Sequence, residues 1–185
     1  MKIPSPTKLT IADLDRFPDD GNRYELIDGE LFVSAAPFEP HQKVLKRLFR
    51  SLDRFAEEQG LGVVYFAPLD VYLSLPGATG QTRVEPDLLF VAKASMDIVR
   101  EAVFGPPDLV VEVLSESTAR ADLFEKRDAY RSAGVAEYWV ANPYDRTIIV
   151  HRFAGGGAPL VLSNVDRLTT PLLPGFELPV SSIFA

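Results

Sequence analysis

The chain contains no cysteine, which excludes disulfides and thiolate metal centres. Its two histidines, His41 and His151, lie far apart in sequence, so a zinc site is not expected. No apolar run approaches the roughly 20 residues that span a bilayer. The opening Met1-Lys2-Ile3-Pro4-Ser5-Pro6 also lacks an apolar stretch of signal-peptide length. A cytoplasmic address and no membrane partner follow as expectations. Gly155-Gly156-Gly157 runs into Ala158-Pro159-Leu160, which opens no helix, so no phosphate-cradling loop is present. The Gly-x-Ser-x-Gly elbow of serine hydrolases is missing as well. Trp139 is the only tryptophan and sits in an apolar run, which leaves no clustered sugar platform for a carboxylate-pair glycosidase. Positive charge is in short supply: 19 Lys and Arg face 26 Asp and Glu, for a net charge of −7. That balance argues against a surface coated with positive charge, and leaves room only for a local basic groove.

What is present is an ordinary globular composition. The chain has 185 residues, 46% of them hydrophobic and 24% charged, which suits a single domain over residues 1–185 with a substantial core. Thr10 and Asp13 imitate a capping box before a short helix from Ile11 to Phe17. Asp28-Gly29 between Arg23–Asp28 and Glu30–Ala35 signals an antiparallel hairpin. Val44, Leu45, Leu48, Leu52 and Phe55 recur at helical spacing from His41 to Gln59, with Gly60 as the stop. Strands are expected at Gly62–Ala67, Asp70–Leu75 and Val84–Ala92, with a loop from Pro76 to Gly80, and a helix at Ser95–Val103. Leu109 to Leu114 reads as a central strand buried on both faces. Ser117 or Thr118 caps a helix running to Ala133, and Gly134 ends it. Strands at Glu137–Val140 and Thr147–Phe153 follow. The class is α/β: a central mixed sheet flanked by helices, with hairpins toward each end and a C-terminal extension, 156–185, packing on the core.

One residue breaks this pattern. Glu112 stands inside Leu109-Val110-Val111-Glu112-Val113-Leu114, and an ionised carboxylate there costs several kcal/mol unless paired or bound to a cation. Asp108 shares its face of the strand but lies about 13 Å away, too far to share one ion. Asp87, in Val84-Glu85-Pro86-Asp87-Leu88-Leu89-Phe90-Val91, can converge with Glu112 if the two strands pair. On the following helix, Ala119, Leu123, Lys126, Tyr130 and Ala133 form the inner stripe, which aims the Lys126 ammonium inward. Asp122, Glu125, Asp128 and Arg131 fall on the solvated face. Two carboxylates suit Mg²⁺ or Mn²⁺, and a nearby lysine can position or deprotonate the attacking water or offset charge at a phosphorus centre. This chemistry is phosphodiester hydrolysis.

Charge is unevenly distributed. Between His41 and Phe55, Lys43, Lys46, Arg47, Arg50 and Arg54 stand against Asp53, a net +4, while the remainder of the chain carries −11. Spacings of three and four put the five basic residues on one helical face. Beside a nuclease site such a stripe is expected to contact phosphates without reading bases. His41 reads as a cap-region residue, with a role at a phosphate as the alternative, and His151 as structural.

These residues fall in ordered blocks. Arg23-Tyr24-Glu25-Leu26-Ile27-Asp28-Gly29-Glu30-Leu31, Glu85-Pro86-Asp87-Leu88-Leu89-Phe90-Val91, Pro106-Pro107 through Ser115, and Glu125-Lys126 through Trp139 resemble the PD-(D/E)XK nuclease superfamily and, within it, the Uma-type restriction endonuclease family. The resemblance covers roughly residues 20–155. It implies a restriction-endonuclease-like core, a Mg²⁺-dependent or Mn²⁺-dependent endonuclease, and DNA as partner. Asp87 and Glu112 would be metal ligands, joined by the carbonyl of Val113. Leu114 occupies the position of the motif lysine, so Lys126 would supply that group from the next helix. Glu25 resembles an additional acidic residue near the metal, and a surface or hairpin-pairing role for it stays open. A homodimer is expected, because two symmetry-related sites cut both strands of a duplex. A fold-retaining nucleic-acid-binding module without strong catalysis is the alternative.

Overall fold

The computed structural model describes residues 8–35, 39–74, 80–115 and 119–185. Helix α1 (Ile11–Leu14) is closed by the reciprocal Thr10 and Asp13 capping box and is shorter than the segment to Phe17. Strands β1 (Arg23–Ile27) and β2 (Glu30–Ser34) meet at Asp28 and Gly29, whose φ values of 49° and 77° make the hairpin turn that an Asp-Gly pair favours. Helix α2 (Glu39–Gln59) includes two residues before His41, with Pro40 in the first turn where its missing N–H costs nothing. Strands β3 (Gly62–Phe66), β4 (Val71–Tyr72), β5 (Arg83–Val84) and β6 (Leu88–Ala92) follow. The helix expected at 95–103 is instead a 3₁₀ segment, Lys93–Ile98, leading to β7 (Val103–Phe104). Val99 there bridges to Val103, as β-branched residues prefer extended backbone.

Strand β8 (Leu109–Val113) is buried at every position. The next helix opens as a π-helical turn, Ala121–Lys126, and continues as α3 (Arg127–Ala133). The cap expected at Ser117 or Thr118 lies outside the described residues, as does most of the loop at 76–80. Gly134, with φ of 97°, ends α3 in the left-handed conformation that a side chain resists. The chain finishes with β9 (Glu137–Asn142), β10 (Thr147–Arg152), β11 (Leu160–Leu162), β12 (Arg167–Thr169), β13 (Glu177–Pro179) and α4 (Val180–Ile183).

The central sheet is mixed and six-stranded, in the order β11-β10-β9-β8-β6-β3. Strand β8 is antiparallel to β6 and parallel to β9. The N-terminal hairpin does not stand apart: β1 pairs with β5, which makes it part of a second sheet, β2-β1-β5-β4-β7. The two faces of the central sheet bury different partners. Leu88, Phe90, Leu109, Val111, Val113 and Trp139 pack against Val44, Leu48, Leu52 and Ala56 of α2, together with Leu168, Leu173, Phe176, Val180 and Ile183 from the C-terminal segment. Leu89, Val91, Val110, Leu114, Tyr138 and Val140 pack against Ile27, Val71 and Val84 of the second sheet and against Tyr130 of α3. Each such side chain stabilises the fold by about 1.5–3 kcal/mol relative to exposure. Among the described residues no helix is long and apolar enough to cross a membrane.

Candidate active site

The site grows out of strand register. Leu88 pairs with Val111 across β6 and β8, so one step outward Asp87 stands opposite Glu112. Pro86 holds the preceding backbone extended. The pairing stops there, and the amide of Val113, which a continuing β6 would have satisfied, donates instead to Asp87 Oδ2 at 2.9 Å. A buried N–H needs such a partner. The Asp87 amide in turn points at Glu112 Oε2, 3.4 Å away. Both side chains are buried, with residue exposures of 3% and 1%.

Asp87 is gripped from two further directions. His41 Nε2 donates to Oδ2 at 2.9 Å, and Arg23 Nη1 reaches Oδ1 at 3.2 Å. Burial alone would raise this carboxyl, but the hydrogen bond and charge of His41, then Arg23 and the Val113 amide, bring it down to about 2. Arg23 is itself fixed by Glu85, through Nε to the carboxylate at 2.8 Å and Nη1 to the carbonyl at 2.9 Å.

Glu112 has different company. Lys126 Nζ lies 3.0 Å from Glu112 Oε1, 2.9 Å from Glu25 Oε2 and 3.5 Å from Asp122 Oδ1. The Tyr130 hydroxyl donates to Glu112 Oε1 at 2.9 Å. Burial pushes the Glu112 carboxyl well above its usual range; Lys126 opposes the shift, while Asp87, Asp122 and Glu25 add to it. For Lys126, burial would lower the ammonium, but Glu112, Glu25 and Asp122 outweigh it and hold it well above its ordinary value. An ammonium held this firmly donates hydrogen bonds and does not take up a proton.

The structure therefore brings Asp87, Glu112, Lys126 and Glu25 together, with Val113 at the same cavity. Of the two readings of Glu25, the surface one is excluded: the residue is 3% exposed, and its second oxygen accepts the Glu85 amide at 2.9 Å. Asp122, expected on the solvated face, is buried at 2% exposure. The physical reason is the spacing of four, which sets Asp122, Lys126 and Tyr130 on one flank of the helix. Counting four back from Lys126 would have found it. His41, expected as a cap residue, belongs to the site. Its signal is the Val44, Leu48 and Leu52 stripe, which extends three residues back to position 41. Arg23 is legible as well, because it lies two residues from Glu25 on the same face of β1.

The basic stripe is mostly exposed, on the helix whose first turns bring His41 to Asp87. Helix α2 covers the sheet face opposite to the one Glu112 shares with Val110 and Leu114. Lys43 pairs with Glu39 and Arg54 with Glu58, while Arg47 donates to the Ile183 carbonyl at 3.1 Å. Lys46 and Arg50 make no ion pair among the described residues.

A cavity of about 20 Å³ lies between His41, Asp87, Glu112, Asp122 and Lys126, room for one water-sized particle. Around it Glu25, Glu85, Asp87, Glu112 and Asp122 face two permanent cations among the described residues, Arg23 and Lys126. Hard oxygen donors and surplus negative charge fit a divalent cation. Among the described residues no group of three or more His, Asp or Glu side chains is arranged to hold a metal. Mg²⁺ needs only one or two carboxylates, with water and substrate oxygens completing its shell, and Asp87 and Glu112 are the residues that would supply them.

A mixed sheet with an acidic residue at the head of one strand, a second within its neighbour and a lysine from the next helix defines a restriction-endonuclease-like α/β core. The chain belongs to the Uma2 family, described as "Putative restriction endonuclease", which matches residues 11–181 and so extends beyond the motif blocks of 20–155 at both ends. Among solved structures, the chain is similar to a protein from Anabaena variabilis described as a "putative nuclease belonging to DUF820", with a TM-score of 0.81 and 15% identity over 95% of this chain and 97% of that one. At that identity the likeness establishes the fold. No curated protein matches the chain.

Proposed function

We propose that the protein is a Mg²⁺-dependent or Mn²⁺-dependent endonuclease that hydrolyses DNA phosphodiester bonds at the Asp87 and Glu112 pair. The observation that carries this reading is the register that sets those carboxylates opposite each other, with the Lys126 ammonium 3.0 Å from Glu112. Leu114 leaves the motif position apolar, and Lys126 delivers the same group from the following helix. A divalent cation held by Asp87 and Glu112, with the Val113 carbonyl as a further donor, would supply Lewis acidity to the scissile phosphate. Lys126, caged in its charged form, orients the attacking water and offsets negative charge at phosphorus. Glu25 and Asp122 hold that ammonium in place. His41 and Arg23 fix the Asp87 carboxylate and keep it ionised. The family description favours DNA as the substrate, and a twofold dimer would present two sites to a duplex. Lys43, Lys46, Arg47, Arg50 and Arg54 are assigned phosphate contacts on the flank of such a complex.

The closure of the site favours a second reading, because Lys126 and His41 already satisfy oxygens that a metal would use. On that reading the chain binds nucleic acid without cutting it. Nicking of supercoiled plasmid decides between them. Cleavage that requires Mg²⁺ or Mn²⁺, stops in chelator, and is lost in Asp87→Asn, Glu112→Gln and Lys126→Met supports the enzyme. Binding without metal-dependent nicking in the wild-type protein overturns it. Sedimentation showing only monomer at working concentration would overturn the dimer.

A further inference from the structure

A second basic region lies where the charge pattern along the chain carries no sign of one. A groove of about 320 Å³ runs between α3 and the C-terminal end of β10, lined by Arg127, Arg131, His151, Arg152 and Phe153, with the Gly156-Gly157 backbone at its end. No carboxylate lines it among the described residues, in a chain whose net charge is −7. Arg131 makes no ion pair among those residues. Arg152 lines the groove, but its guanidinium is committed to the other face of the sheet, where its Nε donates to the buried Glu137 carboxylate at 3.0 Å and its Nη2 to the Thr169 carbonyl at 2.8 Å. Glu137 is itself held by the Trp139 indole N–H at 2.9 Å. Arg127 leans on the exposed Asp128 and on the Phe124 ring.

The groove also has flat surfaces. His151 stacks between Tyr138 and Phe153, with centroids at 5.9 and 6.0 Å and interplanar angles of 20° and 26°. His151 and Phe153 are both partly exposed. Guanidiniums beside an aromatic face are the surface that a nucleic-acid strand uses, phosphates on the cations and bases on the ring.

Its position matters as much as its chemistry. His151 pairs with Tyr138, and Tyr138 pairs with Val110, two residues before Glu112. The groove thus lies on the same sheet face as Glu112, roughly 12 Å away by strand spacing and rise. That is three to four base steps of about 3.4 Å along a strand. Helix α3 separates the two, with Lys126 and Tyr130 on the flank toward the site and Arg127 and Arg131 on the flank toward the groove. Helix α2, by contrast, packs on the opposite face and carries its basic stripe on the exposed side.

We propose that the groove of Arg127 and Arg131 holds the phosphate backbone of the substrate strand beside the cleavage site, with Phe153 offering a ring face to its bases. This rests on the nuclease reading for its substrate, but its test does not require cleavage. Anisotropy of a labelled DNA duplex of about 30 base pairs, titrated in chelator at salt concentrations from about 50 to 200 mM, measures phosphate contacts directly. Arg131→Gln, an exposed residue with no ion pair, should fold normally, weaken binding, and flatten the slope of log affinity against log salt by about 0.9. The ratio of wild-type to variant affinity should then change about three- to fourfold across that salt range. Arg131→Glu should weaken binding further. If wild-type protein binds DNA while both variants bind with an unchanged slope, or if only Arg50→Gln on α2 shifts it, the groove is overturned and the nuclease reading stands. Weakened binding by a protein that never nicks plasmid would keep the groove and sink the nuclease. Absence of DNA binding by the wild-type chain would overturn both.

Discussion

Asp87 and Glu112 face one another across two neighbouring strands, and their surroundings drive them in opposite directions. Asp87 receives an imidazole, a guanidinium and a backbone amide, which bring its carboxyl down to about 2. Glu112, one strand away, shares a single ammonium with Glu25 and Asp122, and burial pushes it well above its usual range. The same chemical group is thus a fixed anion on one side and a reluctant one on the other. Pairs of titratable groups pushed apart in this way commonly divide the labour of a site. Here His41, Arg23 and an amide favour charge on Asp87, while burial and the neighbouring carboxylates oppose it on Glu112.

The most damaging change to the Glu112 half is Lys126→Met. It leaves Glu25, Glu112 and Asp122 around an uncharged thioether and should cost about 3–5 kcal/mol, read by urea denaturation, with plasmid nicking abolished. A variant of wild-type stability would show that the three carboxylates do not share their charge through this lysine.

Asp87→Asn comes next. From an ordinary value of 3.8 to about 2, the shift corresponds to about 2 kcal/mol of folding stability. The folded value is depressed, so this contribution is complete above about pH 4 and fades as the pH falls toward about 2. The variant should be less stable than wild type at neutral pH and should show a flatter acid limb of stability against pH. Its nicking rate should fall on the order of a thousandfold, as the loss of several kcal/mol of transition-state stabilisation requires.

Glu112→Gln sharpens the contrast. Its folded value is raised, so the carboxyl favours the folded state less as the pH climbs above 4.5 and the group is driven to ionise. Cleavage should be lost as in Asp87→Asn, yet stability at neutral pH should match or exceed that of wild type. Equal destabilisation by the two amide variants would erase the difference between the halves.

His41→Gln should cost about 1–2 kcal/mol, the scale of a hydrogen bond to a charged group, and should move the acid limb of Asp87 upward. Lys46→Gln with Arg50→Gln should have the smallest effect, within about 0.5 kcal/mol on stability, and should lower the salt slope of DNA binding by about one unit for each phosphate that is no longer neutralised.

Much of the site can be read from the chain because its signals are local. Glu112 betrays itself as a charge inside an apolar strand, Lys126 as a cation on an apolar helical stripe, and the Asp28-Gly29 turn as a hairpin. Alternation along β8 and β6 assigns Glu112 and Asp87 to the correct faces. Expectation and structure part where a residue's partner decides its place. Asp122 stands four residues before Lys126 and so shares its flank, and its pairing with that ammonium keeps it inside. Nearness to a helix start suggests a cap role for His41, whereas the stripe it continues leads into the site.

The amino-acid sequence by itself determined the elements, the faces of the strands and the identity of the two carboxylates and their lysine, because periodicity and burial act over a few residues and leave a mark in the order of the chain. The tertiary structure alone decided that Arg23 and His41 meet at Asp87 while Glu25 and Asp122 meet at Lys126, since contacts between residues 23, 41 and 87, or 25 and 126, depend on how two sheets and a helix are stacked. It also decided the opposed electrostatics of Asp87 and Glu112. A carboxyl's pKa follows from the few ångströms around its oxygens, and those are set by folding rather than by neighbours in the chain.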